Sequence, residues 1–102
     1  MAKTSYSVIV SCGNGAGTSL MMKMTVEDVL KQHGIGITNI HHCAIAEGKS
    51  SASRYDLAFV PLNFLDMFES AADKGTIVIG MRNVLSAAEC KEKLVEKGII
   101  QG

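Results

Sequence analysis

Ser7-Val8-Ile9-Val10-Ser11-Cys12-Gly13-Asn14-Gly15-Ala16-Gly17-Thr18-Ser19 passes from an apolar β-branched run into a glycine-rich octet and then into helical periodicity. Residues 7–11 read as a strand, ended by Cys12 and Gly13. From about Thr18 to His33, Met22, Val26, Val29 and Leu30 form one apolar stripe, and Gly34 is placed to stop the helix. A buried strand feeding a helix through a tight glycine loop is the opening unit of an α/β sheet.

The pattern repeats outward from this unit. Residues 35–44 hold a second strand, in which Ile35, Ile37 and Ile40 alternate imperfectly. Residues 57–60 form a third, stopped by Pro61, and residues 76–79 a fourth, closed by Gly80. Continuous apolar runs of this length suit strands covered on both faces, as in a parallel sheet. Between them, Phe64, Leu65, Phe68 and Ala72 suggest a helix capped by Asn63. Ser86-Ala87-Ala88-Glu89 is a capping-box pattern for a last helix ending near Gly98. Residues 47–54 are polar and weakly patterned and read as a short helix or loop. The expected fold is a single open α/β sheet, Rossmann-like and parallel, flanked by helices, within one domain of residues 1–102.

Composition narrows the function. With 102 residues, 47% hydrophobic and 20% charged, the chain is a globular domain able to fold without disulfides or a metal. Ten basic and ten acidic residues cancel, so the electrostatic footprint of a nucleic-acid binder is missing. No apolar stretch approaches the roughly 20 residues that span a bilayer, and the first residues lack a signal pattern. A cytoplasmic location without membrane insertion is the expectation. Cys12, Cys43 and Cys90 are too few and too widely spaced for a disulfide framework.

In a parallel sheet the octet lies beyond the carboxyl end of the first strand, where ligands bind. Its glycines permit positive φ and turn successive N–H groups inward, and the helix N-terminus adds its unpaired donors and dipole. Gly13, Asn14, Gly15, Ala16, Gly17, Thr18 and Ser19 therefore make a candidate phosphate cradle. Cys12 sits at its mouth, where the same donors lower a thiol pKa and favour the thiolate nucleophile. A thiolate in a phosphate cradle implies a phosphocysteine.

Other glycine-loop chemistries fit less well. No lysine follows the glycines at the spacing of a P-loop NTPase, and no Gly-x-Gly-x-x-Gly is completed. The cysteine-phosphatase loop needs Cys, five residues, Arg, then Ser or Thr. Here Cys12 and Ser19 fit, but Thr18 stands at the arginine position, removing the bidentate clamp on phosphate. The loop is phosphatase-type in outline without its hydrolytic apparatus.

The octet and its continuation, Leu20-Met21-Met22-Lys23-Met24, resemble the start of a B component of enzyme II of the bacterial phosphoenolpyruvate-dependent sugar phosphotransferase system. The resemblance is to the ascorbate-specific type, related to the lactose and galactitol B components, and Gly80-Met81-Arg82-Asn83-Val84-Leu85-Ser86 extends it. It implies a four-stranded parallel sheet and a phosphocysteine at Cys12. The phosphoryl group would come from a phosphohistidine on the phosphorylated A component and pass to a sugar-like substrate, ascorbate by resemblance, held by the membrane C component. No cofactor or metal is implied. The alternatives are a low-molecular-weight cysteine-phosphatase-like hydrolase, opposed by Thr18, and a thiol-based sensing module, opposed by the lack of a nearby resolving cysteine.

Further residues invite assignment. Leu20, Met21, Met22 and Met24 are too wide for one helical stripe, and Met21 and Met22 are candidate partner-docking residues. Arg82 and Asn83 follow the fourth strand on the same sheet edge as Cys12 and are candidates for the same role. His41 and Cys43 share a strand face while His42 points oppositely, so the strand converges at most two ligands and no metal site is expected. A histidine near the Cys12 loop would add positive charge there. Cys90 reads as a core thiol. Lys91, Glu92, Lys93, Glu96 and Lys97 read as a solvated face.

Overall fold

A computed structural model describes residues 5–12, 16–82 and 86–99; for residues 12 and 16–19 the description covers the backbone and not the side chains. The strands are β1 (Ser5–Cys12), β2 (Gly36–Ala44), β3 (Leu57–Pro61) and β4 (Ile77–Met81). The helices are α1 (Ala16–Gln32), α2 (Ile45–Ser51), α3 (Glu69–Asp73) and α4 (Ala87–Glu96). The sheet runs β2-β1-β3-β4 with every pairing parallel, the predicted architecture. Strand order reverses between β1 and β3, so the crevice outside their carboxyl ends is the switch point at which such sheets bind ligands.

Alternation along the strands divides the interior into two layers. Val8, Val10, Leu57, Phe59, Ile79 and Met81 face the layer shared with Met22, Val26, Val29 and Leu30 of α1 and Cys90 and Leu94 of α4. Ile9, Ala58 and Val60 face the other, with Cys43, Ile45, Ala52, Phe68 and Ala71. The imperfect alternation of β2 has a physical cause. Tyr6 pairs with Ile37 but Ser7 pairs with Asn39, so Thr38 is an extra residue that shifts the register. That shift lets both Ile37 and Ile40, three residues apart, pack against the α1 layer.

Helix ends follow the sequence signals. Gly34 and Gly98 take φ of 73° and 76° after α1 and α4. Ser86 caps α4, its hydroxyl accepting the Glu89 N–H at 3.1 Å.

Two expectations are corrected, and one that was open is decided. Residues 62–68 form a 3-10 helix continuing into the short α3, and the residue at its N-terminus is Pro61, not Asn63. The tighter winding puts Leu62 and Leu65 on one side, i and i+3, against Gly80. A Cβ on Gly80 would stand 3.0 Å from Leu62 Cδ1 and 3.3 Å from Leu65 Cδ2. The fourth strand does not close at Gly80 but runs to Met81, paired with Pro61. Thr76 precedes that strand, and its buried hydroxyl donates to the carbonyls of Ala52 (3.1 Å) and Tyr55 (2.9 Å). The undecided segment 47–54 is helical: it holds most of α2 and a 3-10 turn, Ala52–Arg54.

Cys90 is fully buried, and burial, with Glu89 beside it, pushes its thiol from the ordinary 9.0 up to about 12. A thiol that ionises later in the folded than in the unfolded chain contributes stability in full below the unfolded pKa and loses it as pH rises towards the folded one. Between pH 9 and 12 this one residue should therefore cost about 1.4 kcal/mol of stability per pH unit. Urea midpoints measured across that window should fall less steeply for Cys90→Ala than for wild type. Parallel slopes would show that Cys90 ionises equally in both states.

Candidate active site

β1 carries Cys12 to the carboxyl edge of the sheet as its last residue, in register with Ala44 of β2. The backbone of α1 begins at Ala16, so a helix N-terminus follows the strand within a few residues. This is the placement that the cradle requires. Gly13, Asn14 and Gly15 lie outside the described residues, as do the side chains of Cys12, Ala16, Thr18 and Ser19, and the phosphatase-type shape of the loop is among what is not described.

The strand is held firmly behind the loop. Ser11 is completely buried, and its Oγ lies 3.4 Å from Cys43 Sγ on β2. Helix α2 crosses close over the same point. A Cβ on Gly48 would stand 1.8 Å from Ser11 Oγ, so only glycine permits this approach. At the other end of β1, Ser7 N–H and Oγ donate to Asp56 Oδ2 at 2.9 and 3.2 Å, and Asp56 N–H donates to the Ser7 carbonyl at 2.9 Å. These bonds tie the start of β3 to β1 and set the two strands that border the switch point.

The other two thiols are poor nucleophiles. Burial raises the pKa of Cys43, outweighing the hydrogen bond from Ser11 that lowers it, and Glu47 raises it further. Cys90 is buried in the α1–α4 layer at about 12.

The docking candidates separate. Met22 is completely buried in the core beside Val26 and Leu30 and cannot meet a partner, which corrects its assignment. The signal was present in the sequence, since Met22 falls on the same 3.6-residue stripe as those residues. Met21 is exposed, and Leu20 and Met24 share its exposure, so the outward apolar face of α1 includes two residues not singled out as docking candidates. Met21 and Met24 line a shallow groove with Thr25 and Asp28. Arg82 is exposed directly after β4, and its backbone N–H donates to Glu89 Oε2 at 2.7 Å. With β3 between β4 and β1, it starts about 10 Å, two strand spacings, from the end of β1. Asn83 lies outside the described residues.

His41 and His42 do not reach the carboxyl edge. They pair with Ile9 and Val10, behind Cys12. His41 Nε2 instead meets Glu47 Oε2 at 2.7 Å. Glu47, in the first turn of α2, is the neighbour that strand periodicity alone did not reveal.

With this arrangement in place, the comparisons with known proteins agree. The family model "PTS system, Lactose/Cellobiose specific IIB subunit" matches residues 7–96. The chain belongs to this family of phosphotransferase-system IIB subunits. It is 36% identical over 89 residues to proteins of Salmonella typhimurium and Escherichia coli O157:H7 named ascorbate-specific PTS system EIIB component, covering 87% of this chain and 85% of each relative. Its fold is similar to that of the lactose-specific IIB domain of Streptococcus pneumoniae, with a TM-score of 0.65, 17% identity and coverage of 90% of this chain and 96% of that one. No helix among the described residues is long and apolar enough to cross a membrane.

Proposed function

We propose that Cys12 accepts a phosphoryl group from a phosphohistidine on the phosphorylated A component and passes it to a sugar-like substrate, ascorbate or a close relative, bound by the membrane C component. The observation that carries this reading is the backbone position of Cys12 in a chain of the IIB family: last residue of β1, beside the switch point, with a helix N-terminus following. The ascorbate assignment rests on the names of the 36%-identical relatives.

In the first step the Cys12 thiolate attacks phosphorus and the P–N bond breaks, leaving its electron pair on the imidazole, which takes a proton. In the second, a substrate hydroxyl oxygen attacks phosphorus and gives up its proton to solvent, and the S–P bond breaks with its electron pair returning to sulfur as the thiolate. The N–H groups of residues 13–19 and the hydroxyls of Thr18 and Ser19 hold the phosphate oxygens in both steps. With Thr18 in place of the phosphatase arginine, the cradle binds the phosphoryl group without the clamp that assists water attack. Transfer of this kind needs no cofactor or metal in the B component and takes place at the cytoplasmic face. The exposed methionine face of α1 and the exposed Arg82, with Asn83 next to it in sequence, are the groups offered to the two partners.

The test is peptide mapping after incubation with a phosphorylated A component. An adduct of about 80 Da, one phosphoryl group, is expected on the peptide containing Cys12 and persists without the C component. A phosphatase-like hydrolase would release phosphate instead. A thiol sensor would acquire no adduct.

A further inference from the structure

We propose that His41, Cys43 and Glu47 form a binding site for a divalent transition ion of the zinc class. One ligand atom from each, the His41 ring nitrogen, Cys43 Sγ and a Glu47 carboxylate oxygen, lies within 4.8 Å of the other two. The local fold produces this convergence. His41 and Cys43 are two apart on β2 and share a face. Helix α2 begins at Ile45, immediately after the strand, and its first turn folds Glu47 back over that face. The three ligands fall within seven residues of chain, so little ordering entropy opposes their meeting around an ion.

The donor set selects the metal. An imidazole, a thiolate and one carboxylate suit zinc and its neighbours, whereas magnesium and calcium require oxygen donors. Ligand bonds of about 2.0–2.3 Å place tetrahedral ligands roughly 3.3–3.8 Å apart. The widest separation here must close by about 1 Å, and the 2.7 Å contact between His41 and Glu47 must open by a similar amount. Both of those side chains are about half exposed, at 43% and 58%, and have room to adjust. Cys43 is the fixed member, 7% exposed. The Ser11 hydroxyl at 3.4 Å is placed to donate to its sulfur, the outer-shell support that a metal-bound thiolate uses. On binding, the thiol releases its proton to solvent as the sulfur–metal bond forms. Solvent on the His41 and Glu47 side leaves a fourth position for water. The phosphoryl transfer proposed for Cys12 does not pass through this ion.

Zinc titration of the full-length protein by calorimetry, with cobalt(II) as the spectroscopic probe, tests the site. The Cys12→Ser variant removes the competing loop thiol. The expected result is one ion per chain and a near-ultraviolet thiolate-to-cobalt band in both wild type and Cys12→Ser. Cys43→Ser should abolish the band. His41→Ala and Glu47→Gln, both at exposed positions that do not threaten the fold, should each weaken zinc binding by about tenfold or more. The proposal is overturned if no stoichiometric binding occurs, if neither exposed-residue variant changes the affinity, or if the cobalt band disappears with Cys12→Ser and survives in Cys43→Ser.

Discussion

Cys12→Ser is expected to lower phosphoryl acceptance from the A component by roughly 10³-fold or more while the protein remains folded. The reason lies in ionisation. A thiol at the start of a helix has its pKa drawn towards neutrality by the N–H donors and the dipole, whereas a serine hydroxyl there stays protonated and needs a base. The two remaining thiols offer no replacement nucleophile, since burial raises the pKa of Cys43 and of Cys90. Cys90→Ala, buried in the α1–α4 layer, should keep the activity. Phosphoryl uptake from labelled donor, alongside a thermal melt, makes the comparison. Uptake by Cys12→Ser at a rate near that of wild type would place the nucleophile elsewhere.

Among the described glycines, Gly48→Ala should be the most damaging methyl group, costing about 1–3 kcal/mol of stability and a melting temperature lower by roughly 4–8 °C per kcal/mol. The new Cβ would stand 1.8 Å from Ser11 Oγ, 2.8 Å from Ser11 Cβ and 3.4 Å from Phe68 Cζ. Ser11 is buried and cannot swing into solvent, so α2 must retreat from β1 or Ser11 must lose its contact with Cys43. Because Ser11 immediately precedes Cys12, phosphoryl uptake should fall along with stability. Ser11→Gly removes both clashing atoms and should recover much of the loss when combined with Gly48→Ala. A double-mutant cycle in urea reads this as a coupling of about 1 kcal/mol or more. Additive losses would mean that α2 accommodates the methyl group by another route.

The reach and the limits of sequence reading can be traced residue by residue. Short continuous apolar runs identified β1, β3 and β4, because strands covered on both faces need apolar side chains in both directions, whereas β2, mostly half-buried or exposed, showed only the imperfect alternation of Ile35, Ile37 and Ile40. The stops at Gly34 and Gly98 and the Ser86 cap were legible because each is satisfied within one turn of its own helix. Cys90 followed from its place on a helical stripe. The Cys12 loop stood out because its glycines, thiol and hydroxyls are contiguous. Met22 shows a local signal overlooked, since its stripe already assigned it to the core.

The other features depend on contacts between segments far apart in the chain. The extra residue Thr38 in β2 is visible only when that strand is laid against β1, where it lets Ile37 and Ile40 reach one layer. The 3-10 winding of residues 62–68 accompanies the close approach of Leu62 and Leu65 to Gly80, a partner 18 residues from the first of them. Gly48 reads as an ordinary glycine until α2 crosses Ser11. Glu47 joins His41 and Cys43 only because the chain turns from strand to helix at Ile45. Periodicity and capping record the preferences of a residue and its near neighbours, and those the sequence by itself determined: most element types, most element ends and the place of the candidate nucleophile in the chain. Which glycine must stay bare, which register a strand adopts and which side chains meet across a turn were decided by tertiary packing, because close-packed surfaces constrain atoms that no local pattern brings together.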